Sequence, residues 1–71
     1  MNKTIVIYVN NESPQVFTVG LEYRYKKGTL VKEININNND VIIIFEDREV
    51  IIYHNVSYEC HTKLNKNGGI E

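Results

Sequence analysis

The residue pattern predicts an all-β domain: an antiparallel meander of five to six strands that curls into a compact barrel or folds into a two-layer sheet. Three observations predict it. The 71 residues include ten Ile, eight Val and five Tyr but no Ala, and β-branched and aromatic residues favour strand while Ala is the best helix former. Apolar and polar residues alternate from 16 to 26, with Phe17, Val19, Leu21, Tyr23 and Tyr25 against Thr18, Gly20, Glu22, Arg24 and Lys26. That is the period of a half-buried strand. Residues that favour turns (Asn, Gly, Asp, Pro) punctuate the chain at short intervals.

The elements follow in order. Residues 4–9 read as the first strand, and Asn10 to Pro14 as a loop. Residues 16–26 form the second strand, with Gly20 marking a bend or bulge. Lys27-Gly28 turns the chain, since Gly takes positive φ at little cost. The third strand runs from Thr29 to Asn37, and Asn38-Asn39 turns it into the fourth, Val41 to Glu46. Asp47-Arg48 leads into the fifth, Glu49 to His54. Beyond it, either one long bent strand reaches residue 63 or a break at Asn55 begins a sixth.

Two-residue turns would pair Tyr25 with Leu30, Leu21 with Ile34, Ile36 with Val41, Ile34 with Ile43, Phe45 with Val50, and Ile43 with Ile52. All of these residues then share one apolar face, and a slip of one residue would flip a strand. Leu21, Ile34 and Ile43 are therefore expected in the core. Lys32 would sit among them and must reach an edge or mark a bulge. The same phase carries on through His54, Val56, Tyr58 and Cys60.

We expect a single β domain over 1–63, followed by a flexible tail, 64–71, that folding does not require. In length and strand count the pattern is similar to the small SH3-like and OB-like barrels, a likeness of architecture that carries no function with it. A domain this small buries only about 60% of its unfolded surface, so self-association is a natural source of further stability. Cys60 is the only cysteine, which excludes an internal disulfide and fits a reducing, cytoplasmic setting. Ile5 to Val9 is too short for a signal-peptide core, and Val41 to Phe45 is far short of the ~20 residues of a membrane span. We therefore expect neither a targeting segment nor a membrane partner. The formal net charge of −1 favours neither a strongly basic nucleic-acid binder nor an acidic mimic. The abundance of Ile, Asn, Lys and Tyr reads as the product of an A/T-rich genome, and a phage or mobile element is a natural source.

Four residues break the one-face pattern. In the expected register Ile42, Ile44, Ile51 and Tyr53 converge on the face opposite the core, with Val31 and Asn35 beside them. An apolar second face is either covered by another part of the chain, here the first strand through Val6 and Tyr8, or is a contact surface. We therefore take Ile42, Ile44, Ile51, Tyr53 and Val31 as candidate partner-binding residues. A second candidate is the basic hairpin of Arg24, Lys26 and Lys27 beside Tyr23 and Tyr25, since single-stranded nucleic acid binds where rings and cations meet. Alternation weighs against it by placing tyrosines and cations on opposite faces.

No catalytic constellation is visible. Cys60 and His61 fall on opposite sides of a strand, which suits neither a Cys–His nucleophile pair nor, with His54, a zinc site of about four ligands. Cys60 reads instead as a small buried apolar residue. Glu46, Asp47 and Glu49 gather at a hairpin tip, where no cleft separates their environments. We expect a non-enzymatic protein-binding module, an adaptor or inhibitor, with no cofactor and no metal. Its partner is a second copy of the chain or another protein, such as a component of a host system. A single-strand nucleic-acid binder and a structural subunit of a homo-oligomer are the other readings.

Overall fold

Alternating β-branched residues and short turns do produce an all-β fold. A computed structural model describes residues 3–62; the predicted tail lies outside them. Six strands form: β1 (Lys3–Tyr8), β2 (Gln15–Thr18), β3 (Val31–Asn37), β4 (Asp40–Phe45), β5 (Val50–Tyr53) and β6 (Ser57–Thr62). They make two three-stranded antiparallel sheets, ordered β2-β1-β6 and β3-β4-β5. The strands do not close into a barrel. Nor is the chain a plain meander, because β6 returns to pair with β1 rather than with β5.

The two sheets share one core. Ile5, Ile7 and Phe17 come from the first sheet, and Val31, Ile34, Val41, Ile43 and Phe45 from the second. Tyr23 joins them from the connection between β2 and β3. Five of these side chains are completely inaccessible. Burying a Val, Leu, Ile or Phe side chain stabilises by roughly 1.5–3 kcal/mol, so this cluster is the main favourable contribution to the fold.

The β3–β4 hairpin has the expected register, with Ile36 opposite Val41 and Ile34 opposite Ile43 across Asn38-Asn39. Asn38 takes the positive φ, 58°, as Asn readily does. Lys32 is the expected bulge: the register shifts between Val31 and Glu33, so that Val31 rather than Lys32 lies opposite Phe45. The bulge keeps a lysine out of the core and brings a valine in.

Two expectations are corrected. The strand expected over 16–26 ends at Thr18. Gly20, at φ 89°, lets the chain leave the sheet, and turns close between Thr18 and Leu21 and between Tyr23 and Lys26. The alternation therefore continues in sequence where no strand carries it. Leu21 is 58% exposed and Tyr25 66%, and neither meets its expected partner, the Leu21 carbonyl accepting the Val31 amide instead. Val19 bridges Val31 in parallel, which joins the edges of the two sheets.

The second correction is a register. Phe45 accepts from the Arg48 amide and donates to the Glu49 carbonyl, so the turn contains Glu46, Asp47 and Arg48, one residue more than expected. Arg48 has φ 77°, the left-handed position that follows the turn in a three-residue hairpin loop. The extra residue inverts β5: Ile44 lies opposite Val50, Ile43 opposite Ile51, and Val41 opposite Tyr53. A further break at Asn55, φ 53°, restores the even-numbered phase, and Val56 and Tyr58 pack against the core.

Candidate functional site

The inversion of β5 redistributes the candidate partner-binding residues. Ile42 and Ile44 point away from the core as expected. Ile51 and Tyr53 do not join them, because each lies opposite a buried residue and packs against the core. Val31 is fully buried. In their place stand Val50 and Ile52, 49% and 52% exposed. The outer face of β3-β4-β5 thus carries two directly opposed aliphatic pairs, Ile42–Ile52 and Ile44–Val50, beside exposed Glu33 and Asn35 of β3. The first strand does not cover this patch. Ile5 and Ile7 are its buried residues, so Val6 and Tyr8 face outward from the other sheet. Val50 and Ile52 were hidden from sequence reasoning by one miscounted turn residue.

The basic hairpin does not gather its cations. Lys26 is held 2.9 Å from Asp47 and 2.7 Å from Glu49, and its ammonium lies 5.4 Å from the centre of the Phe45 ring. The carboxylates raise its pKa, Glu49 most. Asp47 is correspondingly lowered, first by accepting the Glu49 amide and then by Lys26. Lys27 is 4.0 Å from Glu22. Arg24 stacks over the Tyr25 ring at 5.1 Å. The expected separation of rings from cations fails here, because Tyr25 is a loop residue.

A cavity of about 560 Å³ opens beside this loop, lined by Val9, Glu12, Ser13, Gln15, Tyr23, Tyr25 and Tyr53. Its aromatic wall is continuous. Tyr23 stacks on Phe17 at 4.2 Å, Tyr25 meets Tyr23 edge-on at 5.4 Å, and Tyr53 meets Phe17 edge-on at 6.0 Å. Tyr23 donates its hydroxyl to Gln15. Burial pushes Tyr53 up to about 12, helped by Tyr23 and by the Glu12 carboxylate. Burial also raises Tyr23, and Glu12 adds to it. The pocket therefore carries one carboxylate, Glu12, in a lining walled by neutral phenols. Its residues come from the loop after β1, the start of β2, the loop after Gly20 and the end of β5. No local sequence pattern announces such a convergence.

The chain matches no family model, and no curated protein or solved structure matches it. The remaining candidates are read from geometry alone. Cys60 is exposed, against the expectation of burial: it lies opposite Ile5 on β6, an edge strand. His61 lies opposite Thr4, on the other side of the sheet. His54 sits 3.6 Å from Asp40. Among the described residues no three His, Cys, Asp or Glu side chains converge as metal ligands would, and no helix is long and apolar enough to cross a membrane.

Proposed function

We propose that this chain is a non-enzymatic protein-binding module, an adaptor or inhibitor, that meets another protein or a second copy of itself through the outer face of β3-β4-β5. The observation that carries the reading is the pair of cross-strand aliphatic contacts, Ile42–Ile52 and Ile44–Val50, set on that outer face with Glu33 and Asn35 at its margin. Apolar residues at the centre with polar residues around them are the pattern of interface cores. The sheet supplies rigidity, so little ordering cost accompanies binding.

One charge tests it. Ile44→Lys and Ile52→Lys should leave a folded chain by circular dichroism whose molar mass in solution falls, or which no longer retains its protein partner. Ile51→Lys is the control: it points to the core, where an unpaired ammonium is costly, and should unfold the domain. Folded Ile44→Lys and Ile52→Lys variants with unchanged mass and unchanged partner retention would remove the proposal.

A further inference from the structure

We infer that the tyrosine-walled cavity is a second binding site, one that takes the guanidinium group of an arginine side chain presented by a partner protein. The inference stands independently of the outer apolar face, with which the cavity shares no residue. Three features define the occupant. Tyr23, Tyr25 and Tyr53 supply ring surface, and the faces of such rings attract cations. Glu12 supplies a carboxylate to the same lining, and among the described residues no ion pair neutralises it. That carboxylate lies near enough to Tyr23 and Tyr53 to add to the raised pKa of each, opposed at Tyr23 by Arg24.

The oxygens of the lining choose between cations. The Gln15 oxygen is already taken by the Tyr23 hydroxyl, whereas Ser13 and Glu12 offer side-chain acceptors. A quaternary ammonium would leave them unpaired, and a primary ammonium presents a compact charge with no flat face. A guanidinium brings five donors in a plane that stacks on aromatic rings. The molecule already makes this contact once, with Arg24 over Tyr25 at 5.1 Å. A cavity of about 560 Å³ lies within the range of small-ligand sites.

The test uses the full chain and N-acetyl-arginine methylamide, with the citrulline analogue as its neutral isostere and the lysine analogue as a cation without the planar fork. Binding is read from nitrogen–proton correlation spectra. The arginine probe should shift amides in 9–15, 23–25 and 53, and bind roughly tenfold more tightly than the citrulline probe. E12Q and Y25A should each weaken it several-fold. Both residues are exposed, so both variants should fold, and E12Q alone decides if Y25A does not. Equal responses to the arginine and citrulline probes would overturn the inference, as would equal responses to arginine and lysine. Shifts centred on Glu46, Asp47 and Glu49 instead of the cavity, or binding untouched by E12Q, would do the same.

Discussion

Tyr53 shows how much one side chain's position depends on one residue elsewhere. Counted with a two-residue turn it belongs to the outer patch; with the three-residue turn that forms, it packs against the core and walls the cavity. Its hydroxyl is held protonated, up to about 12, chiefly because burial penalises the phenolate. A phenol whose folded pKa lies above its unfolded value of about 10 contributes stability that is fully present below that value. The contribution is lost as pH rises through the folded pKa. Wild type should therefore lose stability to denaturant between pH ~9 and pH ~11.5. Tyr53→Phe should lose measurably less over the same interval, with Tyr23 accounting for part of what remains. Equal losses in the two proteins would show that Tyr53 ionises as freely in the fold as out of it.

Elements were legible where sequence and hydrogen bonding use the same count. The Asn38-Asn39 turn gave the β3–β4 register directly, and Lys32, a charge in phase with the apolar face, pointed to an edge or to the bulge that forms. Two features were not legible. Alternation across Gly20 looks identical whether or not a strand carries it, because period two says which residues would face each other and not whether a partner strand is present. The length of the 46–48 turn was also ambiguous, since neither Asp47-Arg48 nor Glu46-Asp47-Arg48 contains a glycine to fix the left-handed position. That position falls on Arg48 at φ 77°, where an L-residue costs roughly 1–2 kcal/mol. Glycine is the residue such loops prefer. Arg48→Gly should therefore stabilise the domain by about 0.5–1 kcal/mol in denaturant titration, part of the relief being offset by the freer unfolded chain. A destabilised variant would mean that the Arg48 side chain makes a contribution larger than its backbone strain.

At the scale of the molecule, the tyrosine-walled site depends on how the long connection between β2 and β3 is held. It carries Tyr23 and Tyr25, and three ties fasten it to the β4–β5 turn, the first being the Leu30 carbonyl, which accepts the Glu46 amide. Thr29 accepts the Asp47 amide, and Lys26 bridges Asp47 and Glu49 over the Phe45 ring. The bridge is exposed to solvent, so salt should weaken it. Its pH signature has a definite sign. Asp47 has a lowered pKa in the fold, so its contribution is present above the unfolded carboxyl value and is lost as pH falls through the folded one. Lys26 is raised and stays charged throughout that window, so the acid response belongs to Asp47. Lys26→Met keeps an aliphatic stem on Phe45 while removing the charge. It should lower the melting temperature at neutral pH, reduce the sensitivity of that temperature to salt, and shrink the further loss between pH ~5 and pH ~2. The acid loss should shrink without vanishing, because the Glu49 amide, the larger cause of the Asp47 shift, remains. Asp47→Asn should remove the Asp47 share altogether. A Lys26→Met protein with the salt and acid response of wild type would show that the bridge does not hold the loop. Placement of Tyr23 would then rest on its stacking with Phe17 and its bond to Gln15.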